Sequence, residues 1–144
     1  MSKKKLLVSL DRKSGDFHFE GLGADKIAVP IDAAAAIGGT NLGARPMELL
    51  LMGLGGCSAI DVVMILKKSK QVIEDLKITI EGERDADAIP APFEKIHLKF
   101  FFKGDIKVSK IEEAIRLSME KYCSAVVMLS KTAEISWSYE LEKV

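Results

Sequence analysis

An α+β fold built on antiparallel sheet is what this sequence predicts. Three observations carry the prediction. Apolar and polar residues alternate strictly over residues 76–81, and alternate over 96–102 and 133–141, the period of half-buried strands. Residues 47–66 are apolar almost all round and too long for a strand. The elements run as strands, long helix, two strands, helices and a last strand, so sheet and helix are not evenly interleaved. The 144 residues fit one domain spanning 1–144, with N-terminal strands in 1–45 and a helix–strand–helix–strand core in 46–144.

Element by element, residues 6–10 and 17–20 read as two short strands joined by a turn at Lys13, Ser14 and Gly15. Residues 24–31 read as a third strand, with Ile27, Val29 and Ile31 on one face. Residues 37–43 form a glycine-rich loop. Pro46 then opens the long helix, because proline suits the first turn and Glu48 suits the positive end of the dipole. A helix apolar on all sides is expected to be buried on all sides. Lys67, Lys68 and Lys70 close it at the negative end. Strand 76–81 and strand 96–102 flank a loop over 85–92 with two prolines and several acids. Ser109 and Glu112 have the spacing of a capping box, opening a helix whose core face is Ile111, Ala114, Ile115, Ser118, Met119 and Tyr122. Residues 124–129 read as a short helix, and 133–141 as the last strand.

Composition excludes several classes. Acidic and basic residues balance at 21 each, which gives no basic face for nucleic acid and makes self-association less costly. The basic start, MSKKKLLVSL, is followed by Asp11 and lacks a small-residue cleavage site, so it is not read as a signal peptide. No apolar run is expected to span a membrane, because Glu48 and Asp61 interrupt the longest. The expected location is cytoplasmic, where the two cysteines are free thiols at rest. No metal or cofactor is expected. Neither C-x₂-C nor H-x₃-H spacing occurs, His18 and His97 fall on outward strand positions, and the glycine-rich loop fits no phosphate-binding template.

The chemistry therefore rests on Cys57 and Cys123. Cys57 lies among Gly53, Gly55 and Gly56 inside the long helix, where each glycine costs about 1 kcal/mol relative to alanine. Such a run fits close helix packing, or room for a substrate beside the sulfur. A cysteine in a buried helix is more often an inert small hydrophobe. The pair is what points to function: one thiol attacks a peroxide oxygen to give a sulfenic acid, and a second condenses with it to a disulfide. Cys123 sits at a helix junction, where a helix N-terminus lowers a thiol pKa. The attacking thiol must be ionised and needs a cation or hydrogen-bond donors beside it. At 100° per residue Asp61 shares a helix face with Cys57, whereas Glu48 falls opposite and acts best by gripping an arginine. Arg12, Arg45 and Arg84 are the candidates for that arginine.

The stretch PMELLLMGLGGCSAID, from Pro46 to Asp61, resembles the central helix of the OsmC/Ohr family (osmotically inducible protein C and organic hydroperoxide resistance proteins). SMEKYC, ending at Cys123, resembles its second cysteine motif, and the Glu83-Arg84, Pro92-Phe93 and 96–100 stretches are also similar. The resemblance implies an intertwined homodimer, with each long helix under sheet from both chains and residues 1–45 contributing to the dimer. It implies a peroxidatic Cys57, a resolving Cys123, a small organic hydroperoxide as substrate and a dithiol reductant of the lipoyl type. In the peroxidase branches an acidic residue follows the proline directly and pairs with an arginine. Here Met47 holds that place and Glu48 comes one later, with Arg84 the preferred partner. Apolar walls from Met52, Leu54 and Ile60 favour organic peroxides. The competing expectations are a dimeric ligand-binding or redox-sensing protein without turnover, and a structural dimer with inert cysteines.

Overall fold

The computed structural model describes residues 2–144. They form two compact units, one ending at Leu50 and the other beginning at Leu51.

In the first unit, β1 (Ser9–Ser14), β2 (His18–Leu22) and β3 (Ala28–Ile31) form an antiparallel meander in that order. The first turn lies later than expected: Gly15 takes the left-handed conformation at φ 56°, and β1 runs through Lys13 and Ser14. The third strand is shorter than expected. Lys26 is also left-handed, and its amide bonds back to the Gly23 carbonyl at 3.1 Å, so residues 23–26 turn instead of extending.

The glycine-rich loop is organised by Asp32, which is 1% exposed. Its carboxylate accepts the amides of Ala33, Thr40 and Leu42 and the Thr40 hydroxyl, at 2.8–3.1 Å. Gly39 and Gly43 permit the wrap: a Cβ on Gly39 would collide with the Ala33 carbonyl, and one on Gly43 with the backbone of Pro30 and Ile31. Burial pushes the Asp32 carboxyl up. The hydrogen bonds from Leu42, Thr40 and Ala33 outweigh it and bring the group down to about 2.

Helix α1 (Pro46–Lys68) starts with half of a capping box, Glu48 Oε1 accepting the Arg45 amide at 2.8 Å. It ends in a Schellman turn: the Gln71 amide reaches the Leu66 carbonyl at 2.9 Å, with Lys70 left-handed.

In the second unit the sheet order is β4 (Asp75–Glu83), β5 (Lys95–Lys103), β6 (Glu134–Glu142). β4 and β5 pair antiparallel from Asp75↔Lys103 to Glu83↔Lys95. β6 runs parallel to β5, Lys95↔Glu134 through Lys103↔Glu142. The antiparallel expectation is corrected here: α2 (Val108–Leu117), a π turn (Ser118–Tyr122) and α3 (Ser124–Leu129) supply a crossover long enough to bring the chain back in the same direction. Ile96, Leu98, Phe100 and Phe102 of β5, Ile111, Ala114 and Ile115 of α2, and Leu54, Val62 and Leu66 of α1 are buried and make up most of the core.

Three further expectations are revised. Helix α2 begins at Val108, one residue before Ser109, so its N-cap is Lys107, with no side-chain cap; the Lys107 amide donates to Gln71 Oε1 at 3.0 Å. Glu112 instead accepts the Tyr139 hydroxyl at 2.7 Å. Tyr122 is half-exposed, because the π turn shifts everything after Leu117 off the 3.6-residue period. And α1 is long and apolar enough to cross a membrane by length and composition. Its packing is that of a core helix on one stripe only: Leu54, Gly55, Ser58, Val62 and Leu66 are buried, whereas Met52 and Ile60 are 55% and 63% exposed. All-round burial is therefore not met within one chain, because the sheet and α2 cover a single face.

Gly55 is where α1 touches β4, since a Cβ there would lie 2.5 Å from Ile80 Cδ1 and 3.1 Å from Cγ1. Gly53 and Gly56 have nothing within 4 Å of that position. Gly55→Val is expected to lower unfolding free energy by about 1–3 kcal/mol in urea titration, the usual cost of overpacking. Asp32→Asn is expected to lower the thermal midpoint at pH 7. The native carboxyl titrates at about 2 against an ordinary value of 3.8, so its stabilisation is complete above pH 3.8 and fades as pH falls through about 2. The gap between wild type and variant should accordingly narrow on acidification from pH 5 to pH 2, read by calorimetry.

Candidate active site

Helical geometry places Cys57 and Asp61 four residues apart on one face of α1, with Ser58 beside them. The crossover supplies the other half. The π turn carries Ser118 inward, and the chain leaves it through Cys123, the N-cap residue of α3, in extended conformation at φ −79° and ψ 106°. The Cys123 amide is held by the Ser118 carbonyl at 2.9 Å. Cys57 Sγ, Cys123 Sγ and an Asp61 carboxylate oxygen all lie within 4.8 Å of one another. Both cysteines are free thiols.

Three polar side chains fix this arrangement. Ser118 Oγ donates to Asp61 Oδ2 at 2.9 Å and hydrogen-bonds to Ser58 Oγ at 3.2 Å. Ser58 and Ser118 are fully buried, so these bonds lie inside the packing between α1 and the crossover, where an unmade bond costs about 1–3 kcal/mol. Sequence reading placed Asp61 on the Cys57 face, but gave Ser58 and Ser118 no role. Their one legible sign was a serine on an otherwise apolar core face.

Cys123 is 1% exposed, and Cys57 is half-buried. Burial pushes the Cys123 thiol up to about 11; the hydrogen bond and the charge interaction with Cys57 push the same way. The Val126 and Ala125 amides pull downward and do not prevail. The expectation that a helix N-terminus lowers this thiol is thus corrected: desolvation wins. At neutral pH Cys123 is a protonated donor beside Cys57.

The expected charged partners are placed differently. Among the described residues no arginine hydrogen-bonds to Cys57. The Arg84 guanidinium lies over the Phe93 ring, 5.8 Å from its centroid. Arg45 bonds to the Gly43 carbonyl and Asn41 Oδ1 at 2.9 and 3.2 Å. Arg12 pairs across β1 and β2 with Phe19. Glu48 grips the backbone amide of Arg45, not its guanidinium. Of the expected apolar walls, Leu54 is wholly within the core, whereas Met52 and Ile60 face outward. An apolar cavity of about 330 Å³ opens beside Asp61, lined by Met64, Ile65, Leu117 and Tyr122, with Lys68 at its edge. His97 is pinned between Ser136 and Ser138 at 2.7 and 2.8 Å.

The profile of the family described as OsmC-like protein matches residues 39–138, which include both cysteines. The chain belongs to the OsmC-like family. Among its OsmC-like relatives, Protein YhfA of Escherichia coli strain K12 is 46% identical over 97 residues, 67% of this chain and 72% of that protein. A hypothetical protein from Aquifex aeolicus, known from its crystal structure, is 32% identical with a TM-score of 0.80, over 97% of this chain and 99% of that one. An organic hydroperoxide resistance protein from Legionella pneumophila superposes with a TM-score of 0.71 at 14% identity, over 97% and 99% of the two chains, and so shares the fold. The mixed α+β architecture with two small sheets is thus that of the OsmC-like structures.

The asymmetry between the two thiols of this OsmC-like protein is measurable. Cys57 should be carboxymethylated first at pH 8, followed by peptide mass mapping. Cys123 should resist until the pH approaches 11, and its labelling profile should move to lower pH in Cys57→Ser, which removes two of the influences that raise it.

Proposed function

We propose that this chain is a thiol-dependent peroxidase that reduces small organic hydroperoxides to alcohols, with Cys57 as the peroxidatic and Cys123 as the resolving cysteine. The observation that carries the reading is the approach of the two sulfurs to within 4.8 Å. A disulfide then needs only a small movement of the segment around Cys123.

The Cys57 thiolate attacks the distal oxygen of R–O–OH. The S–O bond forms as the O–O bond breaks, and the leaving alkoxide takes a proton to become the alcohol. Cys57 is now a sulfenic acid. The Cys123 thiol condenses with it, forming the S–S bond and releasing water. A dithiol of the lipoyl type restores both thiols by two exchanges, attacking at the more accessible Cys57 sulfur. The cavity beside Asp61, walled by Met64, Ile65, Leu117 and Tyr122, supports an apolar substituent on the peroxide. A reducing cytoplasm fits two thiols that cycle through a disulfide. The uncovered face of α1, with Met52, Ile60, Val63 and Met64, supports a homodimer in which a second copy lies over it. A cation for the thiolate is then best sought across that interface or in Arg84.

Two observations favour a second reading, a dimeric ligand-binding or redox-sensing protein: among the described residues no arginine bonds to Cys57, and a carboxylate stands beside it. Turnover separates the two. With organic hydroperoxide and a dithiol reductant, the wild type is expected to consume many equivalents and Cys57→Ser none above buffer. Without added thiol, Cys123→Ser should stop after one turnover with sulfenic acid on Cys57. Equal rates for wild type and Cys57→Ser sink the peroxidase reading, and a single stoichiometric oxidation in the wild type supports the sensing one.

A further inference from the structure

We propose that the reduced cluster of Cys57, Asp61 and Cys123 is a binding site for one thiophilic divalent cation of the zinc class. Two sulfurs and a carboxylate oxygen, from α1 and from the crossover, converge within 4.8 Å of one another. A tetrahedral ion with bonds of about 2.3 Å to sulfur and about 2.1 Å to oxygen holds such donors roughly 3.6–3.8 Å apart. The cluster thus needs to close by about 1 Å. Cys57 and Asp61 sit four residues apart on one helical face, a spacing that lets two side chains share an ion. Cys123 brings the third donor from a segment packed on that face.

The surroundings are those of a built site. The Ser118 hydroxyl donates to Asp61 Oδ2, the type of outer contact that orients a ligating carboxylate. The other Asp61 oxygen has no hydrogen-bond partner among the described residues. A cavity reaches Asp61, one of the three donors. Two thiolates select zinc over magnesium or calcium, which prefer all-oxygen shells. On coordination each thiol releases its proton to solvent, and no electron moves. A bound cation also neutralises charges that packing otherwise disfavours.

Binding stands on this geometry alone. Its consequence rests on the peroxidase reading: an ion on both sulfurs occupies the lone pair that attacks peroxide, and disulfide formation expels the ion. The probe is cobalt(II) titrated into the reduced full-length chain, followed by zinc competition. One equivalent is expected, with a sulfur-to-cobalt charge-transfer band in the near ultraviolet that zinc abolishes. The band should be lost in the disulfide form and sharply reduced in Cys57→Ser and in Cys123→Ser. Ser118→Ala, which removes the outer contact, should weaken affinity by about 10–100-fold, and Asp61→Asn, which removes a ligand's charge, should weaken it at least as much. Absence of the band, or a band indifferent to both cysteine variants, overturns the proposal. The spectrum involves no peroxide, so a chain that binds cobalt in this way yet lacks turnover keeps the metal site and loses only the peroxidase reading.

Discussion

Ser118 lies fully buried where the crossover meets α1, and its hydroxyl reaches Asp61 and Ser58 on that helix. The two cysteines belong to segments that share no hydrogen-bond ladder. Only packing and these bonds hold them in register. Inside a dry interface a hydroxyl without a partner is costly, so the pair of helical segments has one arrangement that satisfies Ser58, Ser118 and Asp61 together. That arrangement sets the distance between the sulfurs. No described buried side-chain polar atom lacks a partner.

The same packing explains why the two thiols differ. Cys57 comes from a helix with one covered and one open face, so its sulfur is half-buried. Cys123 is enclosed between α1 and the crossover, and burial keeps its proton on. Two identical side chains thus acquire different chemistry from position: one is reachable, the other holds a proton until its neighbour changes. Asp61 sets a carboxylate beside both sulfurs. This makes a positive group at the site, from an arginine or from a metal ion, the feature that decides which chemistry the cluster performs.

Much of the fold was legible because it depends on local periodicity. The long helix, the alternating strands and the proline–lysine bracketing of α1 follow from residues a few positions apart. What was not legible depends on direction or distance. Alternation in β6 is the same whether it lies parallel or antiparallel to β5. Ser109 and Glu112 have the right spacing for a cap, but the helix starts one residue before Ser109 and Glu112 accepts the hydroxyl of Tyr139 from a distant strand. Asp61 was placed beside Cys57 by helical geometry. Cys123 was joined to Cys57 by the chemistry of a thiol pair and by family resemblance, not by position, since nothing local says where a crossover lands. The glycine-rich loop fitted no phosphate-binding template, and its glycines serve the wrap around Asp32.

The π turn between α2 and α3 acts as a phase shifter. One additional residue in a helical turn rotates all that follows by about 100° relative to an unbroken helix. In this chain that rotation sends Tyr122 toward solvent and lets Cys123 face α1. Lineages that gain or lose a residue here would keep both sulfurs in their sequence and yet point one of them elsewhere. Counting residues between Leu117 and Cys123 is thus a sharper guide to shared chemistry than counting cysteines.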